Sequence, residues 1–248
     1  MSGLVLITGA SRGIGAATAL LAARQGYAVA VNYANNSLAA DEVVRQIRQS
    51  GGQAMAVQAD VAQEAQVVAM FAKIDAKFGP LTALVNNAGV VDQTTRVDAI
   101  TQARLQRMFA VNVFGTFTCA REAVKRMSTR YGASGGAIVN VSSVAARLGS
   151  PGQYVDYAAA KGAIDTFTIG LAKEVAAEGI RVNAVRPGII ETEIHASGGL
   201  PHRVRDMTPH VPMQRAGTAH EVAEAIVWLL GASSGYTTGA LLDVTGGR

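Results

Sequence analysis

Short apolar runs alternate with amphipathic segments from one end of this chain to the other, and no other feature restricts the fold as much. The runs cover residues 4–8, 28–32, 54–58, 83–86, 137–142, 181–185 and 240–244. Most are apolar without a break rather than at every second residue, the pattern of parallel strands covered on both faces. Between them the spacing is helical. Val43, Val44 and Ile47 form one stripe behind Ser37, read as an N-cap. Thr218-Ala219-His220-Glu221 reads as a capping box ahead of Val222, Ile226, Leu229 and Leu230. Strand–helix alternation requires right-handed crossovers, so the sequence predicts an α/β fold: one doubly wound domain with about seven parallel strands and helices on both faces.

No Pro/Ser-rich linker or internal repeat divides the 248 residues, and 1–248 reads as a single domain. The least periodic stretch, 198–212, lies between a strand and a helix and reads as a functional loop, with 193–215 expected to cover a substrate. It carries His195, His202, His210, Arg203, Arg205 and Arg215, read as solvated rather than as ligands. Three histidines without tight spacing or a carboxylate cluster make a poor metal site, and no metal is expected.

The net charge of +4 could signal nucleic acid, yet there is no run of five or more Lys/Arg and aromatics make up only 5%. A slightly basic enzyme with an anionic cofactor fits better. Charged residues, at 16%, fall below the roughly 25% of an average soluble domain, compatible with surface buried between subunits. The lone Cys119 excludes an intramolecular disulfide and, in an apolar stretch, reads as a small core residue. The N-terminus enters a strand pattern directly, and no apolar run approaches the roughly 18 residues of a spanning helix. A cytoplasmic protein with neither a nucleic-acid nor a membrane partner is expected.

Thr8-Gly9-Ala10-Ser11-Arg12-Gly13-Ile14-Gly15 follows the first strand and opens a helix. Glycines there permit a tight turn and close approach to a pyrophosphate, while the helix start offers free N–H groups and partial positive charge. An NAD site usually ends the second strand with an acid that accepts from the ribose 2′-hydroxyl. Here Val31-Asn32-Tyr33-Ala34-Asn35-Asn36 has none, and Arg12 is placed to pair with a 2′-phosphate. NADP(H) is therefore favoured over NAD(H).

Tyr157 and Lys161 stand at i and i+4, so a helix presents both on one face. A cation about 4 Å from a phenolate stabilises it by up to ~4 kcal/mol at an effective dielectric of about 20. That interaction would bring the tyrosine toward the range useful for acid–base work. Ser142 and Ser143, at the end of the fifth strand, could hold a substrate oxygen beside it.

Together these residues resemble the short-chain dehydrogenase/reductase family over essentially the whole chain. The resemblance rests on the turn from Thr8 to Gly15, on Asn86-Asn87-Ala88-Gly89 after the fourth strand, and on Tyr157-x-x-x-Lys161. It implies a Rossmann fold, usually homotetrameric (a homodimer being the alternative), that reduces carbonyls or oxidises alcohols of small molecules. It implies Tyr157 as general acid/base, Lys161 as the group that lowers its pKa and bonds the nicotinamide ribose, and Asn112 as holder of a relay water. Gly9, Ser11, Arg12, Gly13, Ile14, Gly15 and Asn32 would surround the pyrophosphate and adenosine, with Asp60 and Val61 at the adenine. Asp60 reads equally as an N-cap, and Asn112 as a capping or buried amide. Asn86, Ala88 and Gly89 would line the cofactor, and Pro187, Gly188, Ile190 and Thr192 would hold the carboxamide. The family's usual spacing, counted back from Tyr157, lands on Val144, so the segment carries one extra residue; Ser143 is taken as the catalytic serine and Ser142 as its reserve. Tyr154 lacks a lysine four residues on and is set aside. The competing reading is a catalytically silent dinucleotide-binding protein of the same fold.

Overall fold

The computed structural model describes residues 3–193 and 198–248. Seven parallel strands form the main sheet: β1 (Leu4–Ile7), β2 (Ala28–Tyr33), β3 (Ala54–Gln58), β4 (Ala83–Asn86), β5 (Gly136–Val141), β6 (Ile180–Pro187) and, last in the chain, β9 (Leu241–Val244). Their order is β3-β2-β1-β4-β5-β6-β9. The predicted doubly wound sheet is therefore present, and its winding reverses between β1 and β4. A crevice opens at such a reversal, outside the carboxyl ends of the strands.

The unbroken apolar runs are explained by the pleat. Successive residues of one strand face opposite sides, so Val5 and Ile7 of β1 enter one core while Leu4 and Leu6 enter the other. The first core is closed by α1 (Gly13–Arg24), α2 (Ser37–Gln49) and a late helix, Ala219–Leu230. The second is closed by α3 (Glu64–Phe78), α5 (Gly115–Met127) and α7 (Val155–Val175). Between β4 and α5 lies α4 (Gln102–Phe109), and α6 (Ala145–Leu148) precedes α7. Cys119 is fully buried in the second core, and desolvation raises its thiol pKa to about 12.

The helix-start readings divide. Thr218 and Glu221 form the predicted capping box, with Glu221 N–H donating to the Thr218 hydroxyl at 3.2 Å and Thr218 N–H to the Glu221 carboxylate at 2.8 Å. Ser37, however, is the first helical residue of α2. Asn36 is the cap, its Oδ1 accepting from Ala39 N–H at 3.0 Å. Both residue types suit a cap, and the backbone decided between them. The late loop is more structured than its sequence suggests. It contains α8 (Arg203–Met207) and is tied down by a two-stranded parallel pair, β7 (Ile190–Glu191) with β8 (Gly217–Thr218), ahead of α9 (Ala219–Leu230). His195 lies outside the described residues.

Candidate active site

The glycine turn is held in shape by hydrogen bonds from two neighbouring strands. The Thr8 hydroxyl accepts from the N–H groups of Asn87 and Ala88, each at 3.0 Å. Asn87 Nδ2 donates back to Thr8 O and Gly9 O at 2.9 and 3.0 Å. From β2, the buried Asn32 accepts from Gly9 N–H at 3.1 Å and donates to Ala59 O at 3.0 Å. Asn32 thus shapes the turn from beneath. A Cβ on Gly9 would sit 2.9 Å from Ala88 Cα, and one on Gly15 would sit 2.6 Å from Gly9 O. Above this close-packed turn α1 begins without a side-chain cap and without an acid in its first turn. Its leading N–H groups and positive dipole end are left for an anion.

These features fit a dinucleotide pyrophosphate. Ser11 and Ile14 flank the turn, Ile14 bordering the cavity described below. Arg12 is exposed beside it and has no carboxylate partner among the described residues. Asp60 is not a helix cap, since Gln63 holds that position; its Oδ1 accepts from Ala62 N–H at 3.0 Å in a local turn. Val61 is buried against Gly115, where a Cβ would come within 2.8 Å of it. Asn86 is turned into the sheet and donates to Asn140 Oδ1 at 2.9 Å, so Asn87 rather than Asn86 borders the crevice. The alternation of the strand accounts for this, and no local pattern marks which asparagine faces out.

The N-terminal turns of α7 present Tyr157 and Lys161 together, the Lys161 ammonium lying 5.6 Å from the Tyr157 ring centroid. An ion pair at 2.7 Å between Asp156 and Arg104 of α4 fixes this end of the helix. The Ser143 hydroxyl hydrogen-bonds Tyr157, whereas the buried Ser142 donates to Lys161 O at 3.2 Å within the helix–strand packing. Both serines border the cavity described below, and Ser143 is the one bonded to the phenol. Asn112 is fully buried in a π-turn (Ala110–Phe114) joining α4 to α5; its Nδ2 donates to Val90 O and Met108 O, each at 3.0 Å, and its Oδ1 accepts from Val90 N–H at 3.1 Å. Gly89 must be glycine here, because a Cβ would meet Asn112 Oδ1 at 2.9 Å and Lys161 Nζ at 3.6 Å.

The electrostatics overturn one expectation. Burial pushes the Tyr157 phenol up to about 12, although the Ser143 hydrogen bond and the charge of Arg203 pull it down. Burial likewise pushes Lys161 down to about 8, against the opposing pull of Asp165. The pairing therefore does not make the phenol more acidic. Lys161 Nζ donates to Val141 O at 2.7 Å and lies over the Tyr157 ring, 5.6 Å from its centroid. Desolvation of the buried phenol is the largest influence on it and wins.

Beside these groups opens a cavity of about 510 Å³. Ile14, Asn87, Pro187, Gly188, Ile190 and Thr192 line it together with Ser143, Tyr157 and Lys161. Leu148, Gln153, Tyr154, Met207, Arg203 and Arg248 line it as well. Tyr154 anchors the loop, its hydroxyl donating to Gly198 O at 3.3 Å. Asn87, Gln153 and Arg248 were not singled out from sequence as site residues. Arg248, following two glycines beyond the last strand, had no helical or strand pattern to orient it. Among the described residues no group of three His, Cys, Asp or Glu side chains could hold a metal ion, and no helix is long and apolar enough to cross a membrane.

Fold and site together define a class: α/β proteins with a dinucleotide cradle at the reversal point of a doubly wound sheet. The family model described as "Enoyl-(Acyl carrier protein) reductase" matches residues 9–248. An uncharacterized oxidoreductase of Escherichia coli, YgfF, is 60% identical over 245 residues, covering 99% of each chain. A 3-oxoacyl-[acyl-carrier-protein] reductase of Synechocystis is 40% identical, covering 98% of this chain and 96% of the relative. A solved Serratia marcescens short-chain dehydrogenase/reductase, a double mutant, superposes with a TM-score of 0.91 at 33% identity over 99% of this chain and 97% of that one. The chain belongs to the short-chain dehydrogenase/reductase family and is an oxidoreductase.

Proposed function

We propose that this protein is an NADP(H)-dependent reductase of a small-molecule carbonyl, running in reverse as a secondary-alcohol dehydrogenase. One observation carries the reading: Tyr157, Ser143 and Lys161 line one cavity that Ile14 of the glycine turn and Asn87 beside it also border. The nicotinamide, when bound, supplies or accepts the hydride. The rest falls to the chain. Ser143 and Tyr157 grip the substrate oxygen, and Tyr157 gives it a proton as hydride reaches the carbon, or takes that proton back in oxidation. A phenol raised to about 12 stays protonated at neutral pH, the form needed for reduction. Lys161, fixed by Val141 O, carries the positive charge of the site; Asn112 would hold a relay water in its π-turn.

For the cofactor, the uncapped start of α1 and the glycines receive the pyrophosphate. Ser11, Ile14, Ala88 and Gly89 line its path, Asp60 and Val61 border the adenine, and Pro187, Gly188, Ile190 and Thr192 face the carboxamide. NADP(H) is chosen over NAD(H) because Arg12 is free to pair with a 2′-phosphate and β2 ends in Asn32-Tyr33, without an acid. The whole chain works as one catalytic domain, with 193–215 over the substrate. It assembles as a homotetramer, or at least a homodimer, in the cytoplasm.

The test is a panel of ketones, aldehydes and alcohols with NADPH/NADP and NADH/NAD. NADPH oxidation by some carbonyl is expected, at a kcat/KM at least about tenfold above that with NADH, and Tyr157→Phe should lose at least ~100-fold. Tight NADPH binding with no turnover of any carbonyl class would establish instead a silent dinucleotide-binding protein.

A further inference from the structure

The catalytic cavity is lined by two guanidinium groups and, among the described residues, by no Asp or Glu side chain. Arg203, in α8, and Arg248, beyond β9, both line it. Arg203 lies with its guanidinium 5.3 Å from the Tyr154 ring centroid and donates to the neutral Gln153 Oε1 at 2.6 Å. Neither arginine has an acidic partner among the described residues. Three other partly buried arginines differ: Arg104 pairs with Asp156, Arg126 with Asp75 and Arg186 with Asp165, at 2.7–2.9 Å, while Arg181 is saturated by the carbonyls of Leu229, Leu230 and Gly231 and by Ser234 Oγ. Burial lowers the pKa of Arg248, and the charge of Arg203 lowers it further, so the two cations feel each other across the cavity edge. Like charges held together over a half-buried pocket are unfavourable until an anion joins them. The charge of Arg203 also reaches Tyr157, which places such an anion on the same ligand as the reacting oxygen.

We propose that the substrate is an oxo acid, or in reverse a hydroxy acid, whose carboxylate is clamped by Arg203 and Arg248 while its carbonyl oxygen lies between Ser143 and Tyr157. This rests on the reductase reading above and names its substrate class. The reaction balances as written: the carbonyl carbon gains a hydride from the reduced nicotinamide, the carbonyl π pair takes the Tyr157 proton, and an alcohol and oxidised cofactor result. The planar, forked guanidinium is suited to carboxylate oxygens and keeps its charge at any physiological pH. A cavity of about 510 Å³ admits a small acid with both groups engaged.

The experiment compares levulinate, methyl levulinate and hydroxyacetone phosphate as substrates with NADPH. The expected result is a kcat/KM for the acid at least about tenfold above that for its ester, carried mainly by KM. Arg203→Met and Arg248→Met should each lower that acid-to-ester ratio by about tenfold, and Arg203→Lys should restore part of it. An ester reduced as well as the acid by the wild type, or a ratio unmoved in both variants, would overturn the proposal. Hydroxyacetone phosphate preferred to levulinate would reassign the anion from carboxylate to phosphate and overturn it in this form. Should no ketone be reduced, the reductase reading fails. The clamp is then judged by calorimetric binding of levulinate to the cofactor-loaded protein: binding that is absent in the ester and weakened by Arg248→Met supports it, and equal binding of acid and ester sinks it.

Discussion

Lys161 shows what the site costs the fold. Its ammonium is buried and its pKa falls from 10.5 to about 8, an unfavourable contribution of roughly 3 kcal/mol at neutral pH. The hydrogen bond to Val141 O offsets part of this. Between about pH 8 and 10.5 the unfolded chain holds the lysine proton while the native chain has released it, so this contribution to stability rises with pH. Lys161→Met should therefore lose at least ~100-fold in carbonyl reduction yet melt no lower than wild type at pH 7. Any advantage of the variant should shrink as the pH climbs through that window, because the wild type recovers. Thermal melts of both proteins from pH 7 to 10 check this; a variant clearly less stable at pH 7 would show that the lysine contributes more by packing and bonding than its desolvation removes. That Tyr157 and Lys161 share a face was legible from their spacing alone. The direction of the phenol's shift was not, because it depends on burial, which no local pattern reports.

At the scale of elements, the glycine turn and the strand end at Asn86–Gly89 are one unit, joined through a hydroxyl. The sequence places Thr8 in a motif without saying what it does. The structure shows its oxygen taking two N–H groups from the loop after β4. Thr8→Val keeps the shape and removes the acceptor, leaving Ala88 N–H short of a partner while Asn87 N–H keeps Val85 O at 3.1 Å. The expected loss is about 1–3 kcal/mol of stability, and the NADPH dissociation constant should rise about tenfold because the loop at Ala88 is tied to the turn only by Asn87 Nδ2, to Thr8 O and Gly9 O. Denaturant unfolding and cofactor titration measure the two separately; a cofactor affinity unchanged in a destabilised variant would show that the turn keeps its form without this tie. The same long-range packing explains which element readings failed. Ser37 and Asn36 are both good caps, and the choice lay in how β2 delivers the chain to α2. The β7–β8 pair escaped notice because each strand has two residues, too few to leave a periodic trace.

For the molecule as a whole, the sheet was the most legible part, since covered parallel strands must be apolar on both faces and the sequence shows seven such runs. Which helix covers which face, and what remains uncovered, depends on tertiary contacts. The uncovered part carries the assembly reading. Phe114 and Phe117 of the π-turn and α5 are 62% and 45% exposed, and Phe117 stacks on Phe167 of α7 with centroids 3.7 Å apart. Ile169, further along α7, is exposed as well. Aromatic side chains grouped on one helical face are costly to leave in water, and a second copy presenting the same face would cover them by two-fold symmetry. Phe114 also lies two residues from Asn112, so this face and the buried amide beneath the cavity share one π-turn. Sedimentation velocity should show the wild type as a dimer or tetramer at micromolar concentration. The double variant Phe114→Asp, Phe117→Asp should sediment as a monomer with reduced carbonyl reduction, because the turn carrying Asn112 loses its cover. A wild type that sediments as a monomer would remove this interface, and a monomeric variant of full activity would show that the site needs no neighbour to hold it.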